Sequence, residues 1–597
     1  MSSKDVTKGE KPTSAKDSEP STLQGESLGL QFLGTLLLAL NIAVRVYCGL
    51  YMIISDCDET FNYWEPLNLI FRGFGKQTWE YSPAYAIRSY AFLIPYYILT
   101  FPLRDYIHLT GAQLPASAFF YYIRVVLLCG FTSFTEFRLF KSAKRNFGSH
   151  TANWFLLFST VSTGMSHAGV ALLPSSFAMN WVAWGISHAL DAATLENTLT
   201  CVWPSVYAIA CFLIAGLVGW PFALALGVPF GMFTALLRFQ SPPLVRIVIY
   251  CSIFAFALCG VLMTLDSFFY SRKMLFVPMN IVLYNVFAGE GEGPEIFGVE
   301  PFSYYAKNLF LNFNVISVAG YLGAALNPLL SKNQLKAALG VSLPLFVWSF
   351  IFFSQPHKEE RFLYPIYPLI SLSGSIFAST VFGNAQVLLK SKWLVRFILF
   401  SLMVLIAVVS LLRTVNLVEN YSAPLKASAV FFNESILNDT TEIQNVCIGR
   451  EWYHFPTSFF LPDNYRLRFV SSGFDGLLPG DFPEDMTLRE AASAFPLGMN
   501  SKNIFSPEKL VHFSTCDYFI DNTSPVDTTK GEVQIVSKEN GEIITDNDWD
   551  VLDCQKIIDP AGSHHGLGRL LYIPELLRTV VPNSVEYMDF CVLRRKK

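Results

Sequence analysis

Charge is scarce in this chain. Only 15% of its 597 residues are Asp, Glu, Lys or Arg, whereas soluble domains usually carry about 25%. That shortage excludes an ordinary soluble globular protein. No basic tract suggests a nucleic-acid partner, and the net charge is -4. No Walker or Rossmann glycine motif appears in a suitable context, so a nucleotide-sugar donor has no support. No Cys-x-x-Cys pair and no His/Cys/Asp constellation shows metal spacing. A cleavable leader is not expected either. Residues 1–27 are rich in Ser, Lys and Glu, too polar for a signal peptide, and are expected to form a disordered cytosolic N-terminus.

What fills the chain is apolar. Hydrophobic residues make up 52% and aromatics 15%, with a mean hydropathy of +0.38. Several runs reach the roughly 20 residues needed to cross a bilayer. The expected spans are Leu28–Ile54, Phe119–Phe140, Trp154–Ala171, Phe177–Ala189, Trp203–Val218, Phe222–Leu237, Ile247–Leu265, Leu309–Leu330, Ala338–Ser354, Phe362–Phe382 and Trp393–Leu412. They predict a polytopic all-α membrane protein of about eleven transmembrane helices. The first is expected to be an uncleaved signal anchor.

Basic residues in short loops set the orientation. With the N-terminus cytosolic, Arg138/Lys141/Lys144/Arg145, Arg238/Arg246, Lys332/Lys336 and Lys390/Lys392 all fall on the cytosolic side. This requires Tyr85–Phe101, which contains Arg88 and Pro95, to lie in the lumenal interface with its aromatics at the headgroups. Arg45 and Glu136 lie near span ends and are expected to snorkel. His167 is expected to be a packed polar residue.

The same orientation puts loop 55–118, loop 266–308, the turn His357–Arg361 and everything after Arg413 in the lumen. The composition changes sharply there. Residues 28–413 form the membrane domain, and 414–597 are polar and Pro- and Asp-rich, long enough for a lumenal α+β domain. This domain holds N-x-S/T sequons at Asn420, Asn433, Asn438 and Asn522. It also holds Cys447, Cys516, Cys554 and Cys591, an even number that permits disulfides in an oxidising compartment. The terminal run Arg594–Lys597 resembles a retrieval signal, yet a lumenal end makes it unreadable from the cytosol.

Two motifs carry candidate chemistry. Asp56-Cys57-Asp58-Glu59-Thr60-Phe61-Asn62-Tyr63-Trp64-Glu65-Pro66 packs four carboxylates among aromatics directly after the first span. A solvated helix-ending loop would share that composition, but at a bilayer edge desolvation raises carboxylate pKa values. A carboxylate beside an acceptor hydroxyl serves as a general base, as inverting glycosyl transfer requires. His357-Lys358-Glu359-Glu360-Arg361-Phe362 is a charged turn on the same face. A polar hairpin would explain it, and so would a phosphate site with His, Lys and Arg as cations. Two further stretches read either as connectors or as ordered loops: Trp79-Glu80-Tyr81 with Arg88, and the Gly- and Pro-containing loop 280–308 with Tyr284 and Glu300.

These residues resemble glycosyltransferase family 22, the dolichyl-phosphate-mannose-dependent mannosyltransferases of the GT-C superfamily. The first motif carries the resemblance. So do Gln77–Tyr90, His357–Phe362, Leu173-Pro174-Ser175-Ser176-Phe177, Gly219-Trp220-Pro221-Phe222 and Pro278–Phe287. Within the family, Asp56-Cys57 in place of His-Pro, together with Glu451-Trp452-Tyr453-His454-Phe455-Pro456, is similar to the alpha-1,2 members of N-glycan precursor assembly. The resemblance implies a GT-C type fold and a metal-independent reaction at the lumenal face of the endoplasmic reticulum. Mannose would pass from dolichyl phosphate mannose to a dolichyl-diphosphate-linked oligosaccharide, with inversion, at two steps on two branches. It implies Asp58 as general base and Glu59, with Asp56 as a weaker candidate, to orient the acceptor. His357, Lys358 and Arg361 would hold the donor phosphate. Tyr63, Trp64, Glu65, Trp79, Glu80, Tyr81, Arg88, Glu359, Tyr284 and Glu300 are candidates for binding donor or acceptor. The competing readings are a family member of different linkage (alpha-1,6, or acting on glycosylphosphatidylinositol) and a polytopic lipid transporter, although no internal repeat supports the latter.

Overall fold

The computed structural model of the chain describes residues 28–195, 197–289, 291–388, 392–432, 442–578, 580 and 585–596. The expected disordered N-terminus and the sequons at Asn433 and Asn438 fall outside them. All eleven apolar segments contain helix. Among the described residues, seven helices are long and apolar enough to cross a membrane: Leu28–Tyr51, Ser117–Phe147, Leu199–Gly219, Pro242–Phe269, Lys332–Ser354, Glu360–Val387 and Lys392–Glu419. The chain is a multi-pass membrane protein. Leu309–Leu330, expected as one span, is broken. Ser303–Phe313 and Val315–Leu330 meet at 113°, with Asn314 between them at a positive φ of 42°.

The remaining three expected spans fail on length or apolarity, for a physical reason. Trp154–Ala171 splits at Ser162 into Ser149–Val161 and Thr163–Ala168. Pro174–Thr194 is long, but it buries Ser175, Ser176, Asn180 and Ser187. Such helices pack inside the bundle, where polar side chains find partners on neighbouring helices instead of facing lipid. Pro221–Leu237 is too short.

The bundle interior also corrects the reading of Arg45 and Glu136. They do not snorkel. Arg45 Nη2 lies 2.7 Å from Glu136 Oε1, with the two side chains 0% and 1% exposed. Ser166 accepts from Arg45 Nη1 at 2.7 Å, and Ser159 donates to Glu136. Pairing inward spares both charges the cost of lipid.

Tyr85–Phe101 contains a helix, Tyr90–Leu99, of 10 residues, about 15 Å long and too short to span. Three of its aromatics face protein rather than an interface, while Tyr97 is half-buried and Phe101, just after it, is open. Tyr90, Phe92 and Tyr96 are buried against protein, Tyr90 stacking on Phe269 at 4.6 Å.

Beyond the last long helix the chain builds a five-stranded sheet. Its order is Tyr465–Phe469, Gln444–Ile448, Tyr518–Asn522, Tyr587–Arg595 and Trp549–Ile558. The first two pairings are parallel and the last two antiparallel. Two disulfides brace it, Cys447–Cys516 and Cys554–Cys591. The terminal basic run is built into this sheet: Arg595 donates to the Phe513 and Ser514 carbonyls, and Lys596 to that of Asn547. Two of the four sequons are also built in. Asn420 is 7% exposed and donates to Asn416, while Asn522 is 4% exposed, lies in a strand and donates to Glu451. Neither amide is presented for glycosylation, because each is spent on a buried side-chain partner.

A second, two-stranded pairing positions the site. Lys76–Gln77, from the loop after the first span, pairs with Gly480–Asp481. Lys76 adds an ion pair to Asp481 at 2.8 Å.

Candidate active site

The acidic loop follows the Leu28–Tyr51 helix directly. Asp56 caps a single turn, its Oδ1 accepting from the Asp58 amide at 3.0 Å. The chain continues through a π-helical segment, Thr60–Trp64, into the helix Glu65–Arg72. Such inserted π turns are rare and tend to occur at functional sites. Here the segment is locked from outside. Thr60 donates to the carbonyls of Phe455 and Pro456, and Arg72 donates to those of Ser458 and Leu461.

The His357–Phe362 turn meets this loop through one side chain. Arg361 Nη2 lies 2.5 Å from Asp58 Oδ2 and Nη1 lies 3.0 Å from Asp56 Oδ2. Its Nε contacts Glu359. Glu359 in turn accepts from His357 Nε2 at 2.9 Å, and His357 Nδ1 points at the Gly298 carbonyl at 2.7 Å. A carbonyl and a carboxylate both accept, so this pocket favours the imidazolium, which donates from both nitrogens. Burial pulls the His357 pKa down, but the hydrogen bond to Glu359 overcomes it, and the net shift is upward. Burial pushes Glu359 up, but Arg361 and His357 outweigh it and hold its carboxyl at about 2. Burial drives Asp56 the other way, well above the carboxylate range, with Asp58 and Glu359 adding to the rise and Arg361 opposing it. Asp58 is the most open member of the cluster. Its side chain is 38% exposed, against 26% for Asp56 and 12% for Arg361.

Arg88 and Glu80 form a second pair near the first. Arg88 Nε and Nη2 grip Glu80 at 3.0 and 2.7 Å. Burial raises Glu80, with Arg88 opposing it and the charge of Asp58 adding to the rise. A crevice beside them is lined by Tyr63, Arg88, Phe92, Trp220, Pro278 and Ile281. Two residues not anticipated from the sequence hold Arg88 there. Tyr270 donates from its hydroxyl to the Arg88 carbonyl at 2.6 Å, and the buried Asp266 accepts from Ser89 Oγ and the Ala91 amide. The available signal was an aspartate inside a membrane helix.

Several expected site residues are placed elsewhere. Glu59 points beneath the loop, where Oε1 accepts from Trp64 Nε1 at 3.0 Å and the Leu172 amide at 2.9 Å. Glu65 is fully buried and accepts from Ser458, Thr457 and the Lys76 amide. Lys358 turns away from the cleft and donates to the Glu300, Gln355 and Pro356 carbonyls. Glu300 takes part through its backbone, its amide donating to the Pro356 carbonyl. Trp64, Trp79 and Tyr81 are core residues. Tyr284 packs on Trp79 at 5.0 Å and donates to the Ser501 carbonyl. Apart from Glu300, each is a long side chain close to the motif that finds a nearer partner in the surrounding protein than the cleft offers. His167, opposite Ser55, exchanges a 2.9 Å hydrogen bond with its hydroxyl and steadies the start of the loop.

Asp56, Cys57 and Asp58 bring three ligand atoms within 4.8 Å of one another. Both carboxylates are already bound to Arg361, and burial pushes the Cys57 thiol up. An ion there would have to displace the guanidinium.

Residues 36–462 match the model of the Alg9-like mannosyltransferase family. The chain is 40% identical to the alpha-1,2-mannosyltransferase ALG9 of Saccharomyces cerevisiae, over 94% of this chain and 97% of that one. It is 34% identical to the alpha-1,2-mannosyltransferase ALG9 of Homo sapiens, over 93% and 88%. Among solved structures it is similar to ArnT from Cupriavidus metallidurans bound to undecaprenyl phosphate, with 11% identity and a TM-score of 0.46, over 95% and 98% of the two chains.

Proposed function

The chain belongs to the Alg9-like mannosyltransferase family, a membrane-bound glycosyltransferase, and from that membership and the site geometry we propose its reaction in detail. It transfers mannose from dolichyl phosphate mannose to the 2-hydroxyl of a mannose on a dolichyl-diphosphate-linked oligosaccharide. The product linkage is alpha-1,2, and the reaction runs at the lumenal face of the endoplasmic reticulum, at two steps on two branches. The single observation that carries this reading is the clasp of Arg361 on Asp56 and Asp58. It puts a cation and an open carboxylate at one point of the acidic loop.

Asp58 takes the proton of the acceptor 2-hydroxyl as that oxygen attacks C1 of the donor mannose. The C1–O bond to phosphate breaks on the opposite face, giving inversion from beta to alpha. Dolichyl phosphate leaves with the bonding electrons. Arg361 and the His357 imidazolium take up the charge that grows on its oxygens. Glu359 holds both cations in place. No metal is required in this scheme, since Arg361 fills the cationic role between the two aspartates.

The test uses the purified full-length chain with dolichyl phosphate mannose and lipid-linked oligosaccharides of defined length. An added mannose sensitive to an alpha-1,2-specific mannosidase, on two distinct acceptor lengths, is the expected result. A product resistant to that enzyme, or none, overturns the reading.

A further inference from the structure

We propose that the region following the last membrane-spanning helix is seated on the bilayer itself, through two apolar edges that enter the lipid interface. One edge carries Phe495, Leu497 and Ile504, the other Leu567, Leu576 and Leu577. Single exposed apolar residues are ordinary on any protein, but clustered ones mark a binding surface. These are clustered and open: Leu497 is 75% exposed, Ile504 58%, Leu576 90% and Leu567 58%.

Their place in the fold identifies the partner. The first edge adjoins the end of Pro242–Phe269, an apolar helix long enough to span, whose most apolar 18-residue stretch is only 11% buried, as a lipid-facing helix requires. Arg489 donates to Ser271 at 3.2 Å and lies over the Phe268 ring at 5.4 Å. The Ser501 carbonyl accepts from Tyr284. The second edge runs alongside Lys392–Glu419, a helix only 17% buried. The Tyr572 amide donates to the Leu412 carbonyl at 3.0 Å, Arg413 to that of Leu570 at 3.1 Å, and Asn416 to that of Arg569 at 3.0 Å. Leu412 lies about two turns before the helix end, and its neighbours Val408 and Leu411 are themselves open. The loop is thus level with side chains that face lipid, and each edge continues a surface already in contact with the membrane. Exposed Lys502 and Arg578 flank the apolar residues, a pairing suited to a headgroup boundary. The occupant is phospholipid, to a depth of about 5–10 Å.

The consequence concerns the acidic loop. The same region grips that loop at Thr60, Glu65 and Lys76. A sheet resting on the bilayer at two points fixes the height of Asp58 above the lipid.

The experiment places a trifluoromethyl-phenylalanine at Leu497, Ile504, Leu576 or Leu577 of the full chain in phosphatidylcholine nanodiscs, with Ile544, in the hairpin formed by Val536–Glu539 and Glu542–Thr545, as control. All five positions are open, and two reporters per edge guard against one that perturbs folding. A nitroxide near the carbonyl end of the lipid acyl chain should broaden the fluorine signals at the four edge positions several-fold and leave Ile544 sharp. An aqueous gadolinium chelate should do the reverse. Edge signals broadened by the chelate and untouched by the lipid nitroxide overturn the proposal. So does protection that appears only in native membranes, which would assign the edges to a protein partner, or only at high protein density, which would assign them to a second copy.

Discussion

Arg361 Nη2 stands 2.5 Å from Asp58 Oδ2, across 303 residues of sequence. The candidate base and the candidate phosphate cation therefore neutralise each other. A donor phosphate that draws Arg361 away leaves Asp58 free to accept a proton. Asp58→Asn should lower kcat by about 10²–10⁴-fold with an unchanged melting temperature, and Arg361→Lys should raise the KM for dolichyl phosphate mannose more than that for the acceptor. Equal effects on both KM values would argue against a donor-side role for Arg361.

Glu59 sits one residue away and should behave differently. Glu59→Ala leaves the Trp64 indole and the Leu172 amide without their acceptor, a loss of about 1–3 kcal/mol. The melting temperature should fall, while the folded fraction keeps its KM values. A pure kcat defect at full stability would place Glu59 back in the reaction.

The pH response follows from Asp56. Its pKa is raised by burial from the ordinary 3.8 to about 7, so the folded protein binds this proton more tightly than the unfolded chain. That contribution to stability is complete below about 3.8 and fades as pH rises through about 7. Asp56→Asn should therefore raise the melting temperature most at pH 8, less at pH 5, and little below about pH 4, relative to the unmodified protein. His357 has the same sign: its pKa is raised in the fold, and its contribution fades as pH climbs past its folded value. His357→Gln should flatten the alkaline side of the stability profile, measured by thermal scans from pH 5 to 8.

The two disulfides close loops with separations of 69 and 37 residues. By loop-closure entropy each is worth about 4 kcal/mol. Reduction should lower the melting temperature and activity together, because the braced sheet also clamps the acidic loop. Loss of stability with full activity retained would separate the sheet from the site.

Asn420 and Asn522 should remain unglycosylated. Asn420→Gln and Asn522→Gln are expected to leave the electrophoretic mobility of the secretory-pathway product unchanged. A glycosidase-sensitive shift lost in Asn522→Gln would contradict the buried placement.

Much of this arrangement was readable from composition. Apolar runs mark helices because a chain in lipid has few other ways to satisfy its backbone, and all eleven runs are helical. Runs do not reveal breaks, however. Ser162 and Asn314 interrupt helices without leaving the apolar pattern. Span counting also fails where a helix is surrounded by protein, as Pro174–Thr194 is. At the site, the motifs pointed to Asp56, Asp58 and Arg361: the two aspartates are short and sit at the start of the loop, and the long Arg361 side chain reaches across to them from the other turn. They did not separate Asp58 from Glu59, since adjacent residues on one turn point in different directions. Nor did they show that Glu65 and Lys358 serve the protein's own polar groups, because Ser458 and Glu300 come from distant segments and the local Gln355 and Pro356 carbonyls leave no mark in the sequence.

The clamp on the acidic loop also sets a schedule. Thr60 waits for Phe455, 395 residues later, and Glu65 for Ser458, 393 residues later. At synthesis rates of about 5–20 residues per second, roughly 20–80 seconds separate the two. A nascent chain therefore carries an unfinished catalytic loop through most of its own insertion, and becomes an enzyme only near the end of translation.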